Sequence, residues 1–227
     1  MPIVRKPLTT LNAGFYRMIV EGIIAASYET TSTLLDRKFA TCDTIYLLND
    51  GEESPITSFF MTGNHELTIH GQIHPAIYLG LSGTIEGRKN TAEIRSIYFE
   101  FLEDLKTLER DAKCDHVIWT TTATPSVVFA FLNSFSAAYP AADGSFPEAI
   151  IPVAQAIQSY LLQSRSQTRN PFVLSGYAFE TRYSPTENAR IQDICRKHKF
   201  TLFSEFGVKE SNGDRLILIR VSGVVIG

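Results

Sequence analysis

Residues 76–108 read AIYLGLSGTIEGRKNTAEIRSIYFEFLEDLKTL, and no other stretch limits the possible folds as tightly. The apolar run 76–83 has the length and composition of a buried strand. It passes through the glycine-bearing, basic turn TIEGRKNTAE into a segment with Ile94, Ile97, Phe101, Leu105 and Leu108 on one helical face. Glu93, Arg95, Glu100, Glu103 and Lys106 fall on the opposite, wet face of that helix. A strand, a turn and a long amphipathic helix in succession require a layered fold with a sheet buried under helices. The same succession makes a place for an anion, because free N–H groups and the positive end of the dipole lie at the helix start. Asn90-x-x-Glu93 equally fits a capping pair, with Glu93 reaching back to the Asn90 N–H. Both uses draw on the same helix start.

The flanking sequence extends the pattern. Ile3 to Lys6 reads as a short strand, and Thr9 or Asn12 can cap a helix that carries Phe15, Met18, Ile19, Ile23 and Ile24. A second helix falls near Thr33 to Phe39. TIYLLND and PITSFFMTG, joined by GEESP, read as a hairpin, with a weaker strand in ELTIHG. HVIWTTT is β-branched and apolar, hence a buried strand. Pro125 suits the first position of the helix VVFAFLNSF, and Pro185 that of SPTENARIQDICRKHKF after a Ser184 cap. YPAADGSFPE is a loop, EAIIPVAQAIQSYLLQ is a helix with Pro152 in its first turn, and PFVLSGYAF is strand-like. FTLFSEFGV and RLILIRVSG around SNGD carry the signal of a terminal β-hairpin. The expected class is α/β (α+β), a mixed central sheet flanked by helices. A helical and strand insertion at about 140–184 precedes the C-terminal hairpin, all within a single domain over 1–227.

Composition bounds the partners. With 227 residues, 44% hydrophobic content and a net charge of −3, the chain supports one sizeable core and offers no global field for nucleic acid or anionic membrane. Cys42, Cys114 and Cys195 are scattered, which fits buried thiols rather than a disulfide framework or a zinc site. HxxxH at His70 and His74 is not a metal pair, because Gly71 and Pro75 break the helix it would need. No apolar run reaches the length of a membrane span, and MPIVRKPLTTLN lacks a signal-peptide core, so a cytoplasmic setting is expected.

The element order resembles the GNAT superfamily of N-acyltransferases, in a divergent form. In that family a Q/R-x-x-G-x-G/A turn after the fourth strand holds the pyrophosphate of acyl-CoA. Here one register begins at Arg88, with Thr91 and Glu93 where small residues belong, and the other centres on Gly87. The family's N-P-x-A-x-x-x-Y segment is matched by TPSVVFAF, with Thr124 for asparagine and Phe131 for tyrosine. The resemblance implies acyl-CoA as co-substrate, held by Leu79, Leu81 and Gly83 on the strand and by Gly87, Arg88, Lys89, Asn90 and Thr91 on the turn. Pro125 and Phe131 complete that donor site. No metal is implied.

Acyl transfer to an amine needs an oxyanion donor and routes for two protons. The oxyanion donor expected from the family is a backbone N–H near Leu79 to Leu81. Histidine is the side chain whose ordinary value lies near neutrality, which singles out His65, His70 and His74, and His74 or Glu66 is the candidate base. Phe131 cannot protonate the departing thiolate, so Tyr139 is the candidate acid; a thiolate with a conjugate pKa of ~8.5 can also leave unaided. The aromatic runs FAFLNSF and SIYFEF fit a core or a channel for a medium or long acyl chain from CoA or an acyl carrier protein. The acceptor is a small molecule, an amino acid or a peptide with a primary amine. Two other classes stay open: a non-catalytic GNAT-like protein that binds acyl-CoA or regulates a partner, and an unrelated phosphate-binding α/β enzyme. The second lacks GxGxxG and GxxxxGK[ST].

Overall fold

A computed structural model describes residues 3–8, 13–25, 32–49, 55–88, 92–114, 116–162, 170–178 and 183–221. Thr9, Asn12, residues 51–54 of the GEESP turn, Lys89, Asn90 and Thr91 lie outside the described residues. The chain divides into two compact units. The first is Met1–Asn64 with Tyr78–Cys114 and Arg182–Ser184; the second is His65–Ile77 with Asp115–Thr181 and Pro185–Gly227.

The first unit carries β1 (Ile3–Pro7), α1 (Ala13–Ile24), α2 (Ser32–Thr41), β2 (Thr44–Asn49), most of β3 (Ile56–Ile69), the second half of β4 (Gln72–Thr84) and α3 (Glu93–Ala112). Its strands lie in the order β1-β2-β3-β4. β1 pairs antiparallel with β2, and β2 with β3. The registers align Arg5, Tyr46 and Phe60 on one face and Val4, Leu47 and Phe59 on the other. Strand alternation therefore splits the two neighbouring phenylalanines between two layers.

Phe60 meets α3, its ring 5.5 Å from Phe101 and 5.0 Å from Tyr98, with Tyr46 6.2 Å from Phe101. Phe59 meets α1 over Gly83, where a Cβ would lie 2.8 Å from the Phe59 ring and 3.2 Å from Ile23. The sheet thus has a helix on each side.

Beyond the expected strand at 76–83, β4 begins at Gln72, and ELTIHG continues β3 rather than forming a separate strand. His70 (φ 50°) and Gly71 (φ 79°) join them, the two left-handed residues that a two-residue hairpin turn needs. The core stripe of α3 is Glu93, Ile97, Phe101 and Leu105. This corrects two expectations: Glu93 is inside rather than on the wet face, and Leu108 is 41% exposed. A four-residue repeat continued back from Phe101 reaches residue 93, not 94.

The second unit contains β5 (Val117–Thr122), α4 (Pro125–Ser134), β6 (Ala138–Tyr139), α5 (Ile151–Leu162), β7 (Val173–Leu174), α6 (Pro185–His198), α7 (Leu202–Phe206) and β8 (Arg215–Arg220). β8 is its hub, antiparallel to β5 from Ile118↔Arg220 to Thr122↔Leu216. β6 and β7 pair with β8 as well, through Tyr139↔Ile219 and Val173↔Leu216. Pro152 is the second residue of α5, and Pro125 and Pro185 open α4 and α6, as their local rules require.

The terminal hairpin does not form. Leu202–Phe206 is a helical turn capped by Gly207 (φ 69°), whose N–H bonds back to the Phe203 and Ser204 carbonyls. Glu210–Asn212 is a 3₁₀ turn ended by Gly213 (φ 76°). The glycine of Asn-Gly supplies a left-handed residue, and a helical C-cap uses that conformation as readily as a hairpin does. Position 213 also meets the backbone of Ala178, where a Cβ would come within 1.7 Å of its carbonyl oxygen. β8 instead finds short partners in β6 and in β7, which lies inside the expected insertion. Among the described residues of PFVLSGYAF, Val173–Leu174 is strand. Among the described residues no helix is long and apolar enough to cross a membrane.

The two faces of α3 give a direct check. Phe101 is 3% exposed and Phe99 61%. Phe101→Ala is expected to cost ~3–5 kcal/mol and Phe99→Ala within about 0.5 kcal/mol, read by urea denaturation.

Candidate functional site

β4 ends at Thr84, and residues 85–88 turn tightly, with the Arg88 N–H bonded to the Ile85 carbonyl at 3.2 Å. Gly87 is the third residue of this turn at φ 80°, a conformation that disfavours any side chain although the space around it is open. α3 then starts at Glu93, after Ala92 in the N-cap position, which makes no side-chain cap bond. Glu93 is therefore the first helical residue, not the third as a capping box requires. Asn90, the other half of that expected pair, is among the residues not described.

The Glu93 carboxylate turns inward. One oxygen accepts from Arg88 Nη1 at 2.9 Å and the other from Ser58 Oγ on β3 at 2.8 Å. Thr84 Oγ1 lies 3.1 Å from the same serine oxygen. Strand, turn and helix start thus converge on one carboxylate, 3% exposed, at the positive end of α3. The anion at this helix start is the chain's own.

Along β4, Leu79 is buried, whereas Leu81 and Gly83 are half-buried. The Leu81 N–H, one of the expected oxyanion donors, points at the Cys42 sulfur. β4 comes close to Cys42 here: a Cβ on Gly80 would sit 2.5 Å from that sulfur and 3.1 Å from the Met61 carbonyl oxygen. Burial pushes the Cys42 thiol up to about 11, against the opposing pull of the Lys38 charge, so it stays protonated and unreactive near neutrality. Lys38 bonds the Tyr78 hydroxyl and lies over its ring. Cys42 is buried as expected, but Cys114 is exposed and Cys195 half-exposed.

The remaining candidates belong to the second unit. His74 is half-buried on β4, Glu66 exposed on β3, and Tyr139 half-buried on β6 opposite Ile219. Pro125 is buried at the head of α4, where Thr122 Oγ1 accepts the Thr124 N–H at 2.9 Å. Phe131 is 1% exposed and packs on Phe135 at 4.9 Å, so it is a core residue. Among the three neighbouring histidines, His65 has the most developed surroundings. Its Nδ1 is 2.8 Å from the Tyr160 hydroxyl, and the two rings and Trp119 stand 5.1–6.2 Å apart. Burial raises Tyr160 above the ordinary phenol value. Tyr160 is 95 residues from His65 and sits in an unremarkable helical pattern, so no local signal joined them.

No protein-family model matches the chain. No curated protein matches it in sequence. Several solved structures are similar to it over about half its length. A protein from Enterococcus faecalis V583, described as a "Probable N-Acyltransferase", matches with 15% identity and a TM-score of 0.42, over 58% of this chain and 32% of that one. The chain therefore spans about a third of that protein. The NatC complex bound to Gag peptide and CoA matches with 16% identity and a TM-score of 0.37, over 57% of this chain and 80% of that one. A GNAT family acetyltransferase from Brucella melitensis in complex with acetyl-CoA matches with 14% identity and a TM-score of 0.36, over 52% and 75%.

Arg88→Ala removes a cationic donor from a buried carboxylate. Because Arg88 is itself 36% exposed, the expected cost is about 2–3 kcal/mol, below the ~3–5 for breaking a fully buried pair. Pairing it with Glu93→Gln is expected to recover at least half of that loss, measured by urea denaturation of the three variants.

Proposed function

We propose that this protein is a GNAT-like N-acyltransferase that moves an acyl group from acyl-CoA to a primary amine. The observation that carries the proposal is the turn after β4: a left-handed glycine, an arginine and the start of a long helix, meeting at one anion position. That set of groups suits a pyrophosphate, with the α3 dipole and Arg88 opposing its charge. For a donor to bind there, Arg88 exchanges the Glu93 carboxylate for phosphate oxygens. Glu93 is then a competitor held in place while the donor is absent.

In the reaction, the neutral amine nitrogen attacks the thioester carbon. The oxyanion is stabilised by a backbone N–H of β4 in the Leu79–Leu81 stretch, and the C–S bond then breaks. The amine's proton passes to a base, for which His74 and Glu66 are the candidates from sequence and the Tyr160-bonded His65 is a third. CoA leaves as a thiolate and takes its proton from Tyr139 or from water, since Phe131 has no proton to give. The proposed acceptor is a small molecule, an amino acid or a peptide. A medium or long acyl chain, delivered by CoA or an acyl carrier protein, is the narrower form of the proposal.

A second reading is a GNAT-like protein that binds acyl-CoA without turning it over. The Arg88–Glu93 pair, with its carboxylate buried, and the core position of Phe131 favour it. Calorimetric titration with CoA and acetyl-CoA, followed by thiol release in the presence of an amine library, separates the two. Binding with thiol release supports the transferase, and binding without release supports the second reading. Glu93→Gln is expected to tighten CoA binding about fivefold to tenfold by freeing Arg88, roughly 1–1.4 kcal/mol. Absence of CoA binding in both forms contradicts either reading.

A further inference from the structure

A groove of about 610 Å³ lies on the α1 face of the first unit. Its floor is sheet: Val4, Leu47 and Ile56 from three successive strands, with Ile85 at one end. Its wall is α1, through Ile19, Ile23 and the exposed side chains of Phe15 and Met18, which are 51% and 63% accessible. Among the described residues that line it, Lys6, exposed on β1, is the charged one. Volume and composition are those of a small-ligand site, which runs ≈300–1,000 Å³ and is mostly apolar with few polar groups.

Gly22 makes the groove more than an uneven surface. It sits near the end of a 12-residue helix, where glycine is the second-worst helix former. Its φ is not positive, and a Cβ built on it meets nothing within 4 Å, so neither backbone conformation nor close packing calls for glycine. Gly22 lines the groove and is exposed, so a larger side chain there would project into open space at the groove wall.

We propose that this groove binds a single-chain fatty carboxylate, with the hydrocarbon along the α1–sheet crease and the carboxylate at Lys6. The apolar lining takes the chain, Lys6 takes the carboxylate, and Gly22 leaves the groove wall without a side chain at that point. The proposal rests on the groove alone and is independent of acyl transfer at the β4 turn.

Calorimetric binding of octanoate, decanoate and dodecanoate to the full chain, below their micelle concentrations, tests it. Affinity is expected to rise about threefold to fourfold per methylene. Gly22→Leu fills the groove and is expected to weaken dodecanoate at least tenfold while raising the thermal midpoint. Lys6→Gln is expected to weaken dodecanoate about threefold to tenfold and leave dodecanol unchanged. Met18→Glu, at an exposed position that cannot endanger the fold, is expected to weaken dodecanoate as well. The proposal fails if dodecanoate does not bind saturably, or if it binds Gly22→Leu and Met18→Glu as tightly as the unaltered chain. It also fails if sedimentation shows a self-association that Gly22→Leu abolishes, since the occupant would then be a second copy.

Discussion

The Glu93 carboxylate is the point on which the first unit turns. It ties β3 through Ser58, the turn after β4 through Arg88, and the start of α3 through its own backbone. A buried carboxylate is tolerable only where donors and a cation surround it, and here a helix dipole adds to both. Because Glu93 leads the core stripe that continues through Ile97, Phe101 and Leu105, the same interaction sets the rotation of α3 on the sheet. The rotation in turn decides that Phe101 is buried and Phe99 is not.

The arrangement has a chemical consequence. A helix start beside a basic turn carries positive potential, and the Arg88 guanidinium there needs an acceptor. Glu93 supplies that acceptor from within the chain, to Arg88 and to Ser58. Under the proposed donor binding, an incoming phosphate would have to displace Glu93 from Arg88, so its net gain would be the difference between two anions rather than the whole attraction.

Local rules carried much of the fold from sequence alone. The prolines at 125, 152 and 185 mark helix starts, the β-branched run 117–122 is a strand, and most of the α3 stripe follows from its spacing. Features that depend on distant partners were not legible. Glu93 appears on a wet face until Ser58, 35 residues away, supplies its bond. Tyr160 and His65 come together across 95 residues. The Asn212-Gly213 pair misled for a different reason: a left-handed glycine serves a hairpin and a helical cap alike, and only the approach of Ala178 to Gly213 distinguishes them. β6, two residues long, carries too little pattern to be read, and β7 shows in the sequence only as part of the longer strand-like run PFVLSGYAF.

The central claim is that the anion position at the start of α3 belongs to a donor phosphate when one is bound. A crystal structure of the chain grown with saturating CoA tests it most directly. The account predicts pyrophosphate oxygens within hydrogen-bond distance of the Arg88 guanidinium and of the first α3 N–H groups, with Glu93 no longer bonded to Arg88. CoA bound elsewhere, with the Arg88–Glu93 bond intact, would contradict it.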